Sequence, residues 1–320
     1  MSGHLLQQAA RQLGLSMNDV VRVVRTAPLR YKVFPIPKRS GGERIIAQPA
    51  RELKDLQYFL MEHLLSRLPV HTAATAYRQG VSIRHNAEPH APHSSILKVD
   101  FRDFFGSIKS HDFEKHCPMH GIFLDKEDTE FCRQVLFWQE RHSGSLQLSI
   151  GAPSSPMVSN TIVYQFDNLV ADICANTSIT YSRYADDLTF SSDNIDALIM
   201  VRAELPRLLS QLPYPILYIN HDKTVLVTRK YRRTVTGLTL TNDGKVSLGR
   251  KKKRNLRAAV YSFAHGLLSD TEIAQLRGQL AYVKSVEPDF LARLERKYGE
   301  RLVRALMRAP IVRSGQPPNG

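Results

Sequence analysis

Residues Ile179 to Ser191 constrain this chain more than any other stretch. Apolar and polar residues alternate on both sides of Ala185-Asp186, the pattern of two half-buried strands joined by a tight turn. Two carboxylates, Asp186 and Asp187, then sit at the tip of an otherwise apolar hairpin. Adjacent carboxylates repel, and something positive must offset that cost. A divalent metal would do so. An Asp pair that simply solvates a turn is the alternative, because Asp is a favoured turn residue. A third acid, Asp100, ends a short strand that reads Ser95-Ile-Leu-Lys-Val-Asp-Phe101. Two magnesium ions held by such acids would stabilise the attacking and leaving oxygens of an in-line phosphoryl displacement.

Elsewhere strands and helices mix without a βαβ rhythm, which makes the class α+β. Leu5, Leu6, Ala9 and Leu13 have helical spacing, and Ser16 with Asp19 has the pattern of a capping box. Tyr31 to Ile46 alternates around Ser40-Gly41-Gly42, giving a hairpin with a basic tip. Arg51 to Leu68 puts Leu53, Leu56, Leu60 and Leu64 on one helix face. Asp112–Glu140, Pro153–Ala175 and Ala197–Leu212 are mainly helical, and Ile216–Ile219 and Thr234–Leu240 are strand-like. From Lys251 the pattern is helical again, up to a polar tail, Arg313–Gly320, expected to be disordered.

The charge balance points to a polyanion. Lys and Arg number 44 against 30 acids, a formal net charge of +14, and each cation placed near a phosphate releases condensed counterions. The excess is concentrated between Arg229 and Arg257, where Asp243 is the single acid. With 42% hydrophobic and 23% charged residues, the chain is globular rather than collagenous or wholly disordered. Its 320 residues suit one large domain or two modest ones. No apolar run approaches the ~18 residues of a membrane helix, and the start lacks a continuous signal-peptide core. A cytoplasmic protein without a membrane partner is therefore expected. Cys117, Cys132 and Cys174 are too few and scattered for a disulfide framework. His116, Cys117 and His120 have a spacing a zinc site could use, but no second pair lies nearby, and structural zinc takes four ligands.

Four ordered motifs narrow the reading. Tyr184-Ala-Asp-Asp187 resembles the YxDD box of reverse transcriptases. Asp100-Phe-Arg-Asp-Phe-Phe105 resembles their first catalytic motif, Gly151-Ala-Pro-Ser-Ser-Pro156 their GAPSSP motif, and Asn220-His-Asp-Lys-Thr224 their later lysine motif. Two more, Asn86-Ala-Glu-Pro-His90 and Val235-Thr-Gly237, resemble the NAxxH and VTG signatures of the retron branch.

The resemblance implies a right-hand polymerase. An N-terminal helical segment would cover 1–30, fingers with the NAxxH region 31–95, and a palm of antiparallel sheet plus helices 96–240. A helical RNA-binding thumb would cover 241–312, with the tail at 313–320. It implies that Asp100, Asp186 and Asp187, with the Phe101 carbonyl, hold two Mg2+ ions, and that Lys223 protonates the pyrophosphate leaving group. Arg44, and more weakly Lys38 and Arg39, would grip an incoming dNTP, near Asp103 and the close backbone approach allowed by Gly151. Phe105 would be the steric gate against a ribose 2′-OH. Asn86, His90, Val235, Thr236 and Gly237, with the basic run Arg250, Lys251, Lys252, Lys253 and Arg254, would bind RNA. One departure stands out: related enzymes carry Gln where this chain has Ile150.

A retron enzyme is thereby implied to bind a cognate structured non-coding RNA and prime from a guanosine 2′-OH. It would copy part of that RNA into branched single-stranded msDNA, in an anti-phage system with a separate effector protein. A group II intron-like or diversity-generating reverse transcriptase is the nearest alternative. A catalytically inactive RNA-binding scaffold is the alternative from another class, with Ile150 the only feature in its favour.

Overall fold

The computed structural model describes residues 4–38, 41–140 and 144–308. Arg39, Ser40 and the 313–320 tail lie outside the described residues. The chain packs as two units, one holding residues up to Gln79 together with Leu97–Leu226, the other Gly80–Ile96 and the chain from Val227. Strands and helices mix with antiparallel pairing, the expected α+β class. No helix among the described residues is long and apolar enough to cross a membrane.

A four-stranded sheet centres the first unit. Its order is Thr180–Tyr184, Asp187–Ser192, Ser95–Arg102, Tyr218–Thr228. The strand Ser95–Arg102 is buried along almost its whole length, which explains its nearly unbroken apolar run. Phe101 stacks on Phe104 and meets Phe166 edge-on, each at 5.6 Å between ring centres. These rings join Leu188, Phe190, Leu198 and Leu205 in the core that carries the sheet. The helix Arg51–His63 contributes Leu53, Leu56 and Leu60 to the same core, as its spacing predicts. The strand containing Lys223 runs from Tyr218 to Thr228, longer than the Ile216–Ile219 segment read from the sequence.

The Tyr31–Pro37 and Glu43–Pro49 strands form the expected hairpin, in register from Tyr31 opposite Pro49 to Pro37 opposite Glu43. The first helix, His4–Leu13, is fastened at its start by a distant side chain: Asp128 accepts hydrogen bonds from the backbone N–H of Leu5 and Leu6. A carboxylate there satisfies orphan donors and complements the helix dipole.

The second unit joins a three-stranded sheet, Val246–Ser247, Leu238–Leu240, Arg233–Val235, to four helices between Arg250 and Arg308. Its core combines Leu256, Val260, Leu280, Val283 and Phe290 with Ala87, Ala91, Ile96, Val235 and Leu238. Residues 80–95, read from the sequence as part of the fingers, thus pack with residues read as the end of the palm and the thumb. The cause is shared burial: Ala87, Ala91 and Ile96 are all 2% exposed or less.

Candidate active site

Two strands and one tight turn assemble the acids. Tyr184 pairs with Asp187, so Ala185 and Asp186 alone form the turn. Ala185 has φ 57°, the left-handed region that a two-residue hairpin turn demands and that a residue with a Cβ adopts at a cost. The neighbouring strand brings Asp100 alongside, and the Phe101 N–H donates to the Asp186 carbonyl at 3.2 Å. On the far side of Asp100, the next strand presents Lys223, whose Nζ donates to Asp100 Oδ1 at 2.8 Å.

The electrostatics are those of crowded acids. Asp187 is pushed up to about 6 by burial, with Asp186 and Asp100 adding to the rise and Lys98 opposing it. Asp186 is also raised, first by burial and then by Asp100, while Lys223 and Arg44 pull it down. Lys223 is raised, chiefly by its hydrogen bond to Asp100, and so keeps its proton.

Oxygen-only donors at an under-neutralised acidic cluster fit a hard divalent cation such as Mg2+. No set of three or more His, Cys, Asp or Glu among the described residues forms a ready-made metal cage. Asp100 instead engages Lys223. Mg2+ is commonly held by one or two carboxylates plus water and phosphate rather than by an all-protein cage, so the donor set suits it. His116 is engaged otherwise, with Tyr214 Oη at 3.1 Å and Thr161 Oγ1 at 2.8 Å.

Of the remaining first-unit residues, Arg44 acts on the acidic cluster, and Lys38, Asp103, Phe105 and Gly151 have other immediate neighbours. Arg44 is exposed on the Glu43–Pro49 strand, close enough to act on both Asp186 and Tyr77. Lys38 is exposed at the end of the same hairpin and lowers Asp103, whose carboxyl is raised on balance by burial. Asp103 itself has φ 45° and sets its carboxylate over Gly106, where a Cβ would collide with it. Phe105 is half-buried and meets the buried Phe104 edge-on at 5.5 Å. Gly151 has φ 131°, and a Cβ there would lie 2.8 Å from the Ala47 carbonyl. Its close approach is therefore to the hairpin backbone, and Ile150 joins in by accepting the Ala47 N–H through its own carbonyl at 2.9 Å.

Tyr77 was not legible in the sequence. It is exposed, has φ 61°, and its ring centre lies 6.4 Å from that of Tyr184. Although the residue as a whole is exposed, its hydroxyl is partly desolvated, which raises its pKa first, and Asp186 raises it further, so it lies beside the acids. Neither periodicity nor a motif in Thr75-Ala-Tyr-Arg78 announces this.

In the second unit the expected RNA contacts divide. Asn86, His90 and Val235 are buried, at 1%, 0% and 0% exposure, so their side chains build the interior rather than offer a surface. Thr236 and Gly237 form a two-residue hairpin turn with φ 45° and 78°, and Val235 pairs with Leu238. The Thr236 hydroxyl donates to the Ile83 carbonyl at 3.1 Å, fastening this turn to the helix that carries Asn86. Arg250, Lys251, Lys252 and Arg254 are exposed on the helix Arg250–Ala264. Lys253 turns inward, 2.6 Å from Glu287 and 5.6 Å from the centre of the buried Phe290 ring.

Residues 36–240 match the family model described as reverse transcriptase (RNA-dependent DNA polymerase). The retron Ec83 reverse transcriptase of Escherichia coli is 39% identical over 290 residues, spanning 90% of this chain and 93% of that protein. The retron Ec86 reverse transcriptase of the same species is 30% identical over 306 residues, spanning 93% and 90%. Among solved structures, the foamy viral protease-reverse transcriptase in complex with ds DNA aligns with a TM-score of 0.45 at 14% identity, over 88% of this chain and 44% of that one.

Proposed function

This chain belongs to the retron reverse transcriptases, RNA-directed DNA polymerases by family, and from that premise we propose that it copies part of a bound structured non-coding RNA into single-stranded DNA. The observation that carries the reading is the meeting of Asp100, Asp186, Asp187 and Lys223 across three neighbouring strands of one sheet, in a chain so close to retron enzymes. Synthesis starts from the 2′-OH of a guanosine in that RNA, and the product is a branched msDNA. The protein works in the cytoplasm, within an anti-phage system whose effector is a separate protein.

Asp100, Asp186 and Asp187, with the Phe101 carbonyl, would hold two Mg2+ ions. When bound, these ions supply charge neutralisation at the attacking and leaving oxygens of an in-line displacement. The chain's own residues do the rest. Arg44 offers a planar, multi-donor fork to the dNTP phosphates, as a point-charge lysine would not. Lys223 holds a proton at Nζ for the departing pyrophosphate. Phe105 excludes a ribose 2′-OH. Arg250, Lys251, Lys252 and Arg254 present an exposed cationic helix face to RNA phosphates, which are read by shape and backbone more than by groove edges.

The test is to express the chain with and without the non-coding RNA encoded beside its gene. Nucleic acid is then treated with ribonuclease and a debranching enzyme, and wild type is compared with Asp186→Ala plus Asp187→Ala. A short DNA joined covalently to RNA, absent in the mutant, is expected. Synthesis only on an external primed template would remove the self-priming part of the proposal. No synthesis on either would remove the catalytic part.

A further inference from the structure

Arg183 immediately precedes the Tyr184-Ala-Asp-Asp187 turn, and its side chain is 0% exposed. Every nitrogen of its guanidinium is engaged. Nε donates to the Asp167 carboxylate at 2.9 and 3.1 Å, and Nη2 donates to Asp167 Oδ2 at 2.7 Å. Nη1 donates to Asn160 Oδ1 at 3.2 Å and to the Ala185 carbonyl at 3.1 Å. Asp167 also accepts from the Tyr181 hydroxyl at 2.7 Å. The backbone adds a third direction. The Arg183 N–H donates to the Ala73 carbonyl at 2.7 Å, and its carbonyl accepts from the Thr75 N–H and hydroxyl at 2.8 and 3.0 Å. Asn160 closes the loop by donating to the Ala76 carbonyl at 2.8 Å.

One residue therefore ties together two helices, the segment leading to Tyr77, and the turn carrying the acids. Stability alone does not explain it, because a buried ion pair is often no better than well-packed apolar residues of similar volume. The turn does explain it. Ala185 sits in a left-handed conformation that glycine would adopt freely, and such conformations persist where the surroundings over-determine them. The bond from Nη1 orients the peptide between Ala185 and Asp186, and hence the direction in which Asp186 leaves the turn.

We propose that Arg183 is a positioning residue for the acidic turn: its fork, braced by Asp167 and Asn160, sets where Asp186 and Asp187 point and registers Tyr77 against Tyr184. This rests on the polymerase reading above. A lysine has a compact ammonium and cannot brace Asp167 and the Ala185 carbonyl in the same planar geometry.

The experiment compares wild type, Arg183→Lys, and a triple variant, Arg183→Met with Asp167→Leu and Tyr181→Phe, in which the ion pair gives way to apolar packing. Three quantities are read: the thermal midpoint, kcat and KM for dNTP on a primed RNA template, and Mn2+ binding to the protein alone by electron paramagnetic resonance. Both variants are expected to fold, with kcat down roughly 100-fold, KM within about threefold, and Mn2+ bound several-fold more weakly. A folded variant with wild-type kcat and Mn2+ affinity would overturn the proposal. So would failure of both variants to fold, which would make the network a determinant of the fold. If wild type itself incorporates no dNTP, the polymerase reading fails, while the Mn2+ comparison still reports on Arg183.

Discussion

Lys223 donates a 2.8 Å hydrogen bond to Asp100 across adjacent strands, holding an ammonium against the acid cluster. The hydrogen bond keeps Lys223 protonated, and the lysine's charge opposes the rise that burial and Asp100 impose on Asp186. The lysine is thus an electrostatic partner of the acids, and in the function proposed above it is the proton source for the departing pyrophosphate.

Lys223→Met is expected to lower kcat for dNTP incorporation by roughly 100-fold with little change in KM, the range of a lost general acid. Lys223→Arg, which keeps the charge, should recover part of it. Steady-state kinetics on a primed template decide the matter, and a kcat for the methionine variant within about twofold of wild type would remove Lys223 from the chemistry.

Phe105→Val should widen the pocket where a ribose 2′-OH would clash. Because Phe105 is only half-buried against Phe104, the fold is expected to tolerate the change. The ratio of dNTP to rNTP incorporation is expected to fall at least about tenfold, since one or two added or missing groups in a pocket are worth that much. An unchanged ratio in single-nucleotide assays would assign discrimination elsewhere.

Gly151→Ala places a Cβ 2.8 Å from the Ala47 carbonyl in a backbone region that L residues avoid. The expected loss is about 1–3 kcal/mol of stability, together with reduced activity as the hairpin carrying Arg44 is pushed away. Chemical denaturation with matched activity assays tests this. A variant as stable and active as wild type would show that the contact relaxes freely.

Acid should destabilise both units. His116 and His90 are each buried and pushed down to about 3. The unfolded chain takes up their protons near 6.5, and the folded chain does not until about 3. Stability is therefore complete above 6.5 and falls as pH drops towards 3, by about 1.4 kcal/mol per pH unit for each histidine. Urea unfolding between neutral pH and pH 5 should show the slope, and His116→Gln should reduce it. A flat profile would contradict the burial of these rings.

The basic run should split by function. Replacing Arg250, Lys251 and Arg254 with alanine is expected to weaken RNA binding and reduce its salt dependence by about one unit of slope per lost contact, with little effect on folding. Lys253→Ala should instead lower stability by roughly 2 kcal/mol, through its lost bond to Glu287, and leave the salt slope nearly unchanged. Equal behaviour of the two variants in salt titrations would erase the distinction.

What the sequence determined by itself was local. The alternation of Ile179–Ser191, the apolar strand leading to Asp100, the leucine face of the helix from Arg51 and the cationic start of the later helix are written in periods of two or 3.6 residues, and the structure contains each element, with bounds shifted by a few residues. The order of the motifs was equally readable, because it needs no contacts.

Tertiary structure decided which of those residues face inward and what they meet. Nothing in the run Tyr181-Ser-Arg183 announces a buried cation, yet docking of Asp167 and Asn160 encloses Arg183 completely. Asn86 and His90 are expected from the resemblance to bind RNA, yet both are buried and the segment around them packs with chain more than a hundred residues later. Gly151 reads as room for a ligand, and what fills that room is the backbone at Ala47. The physical reason is common to all three. Periodicity fixes which face a side chain takes relative to its neighbours, whereas burial, ion pairing and close backbone approach depend on which distant segment arrives on that face.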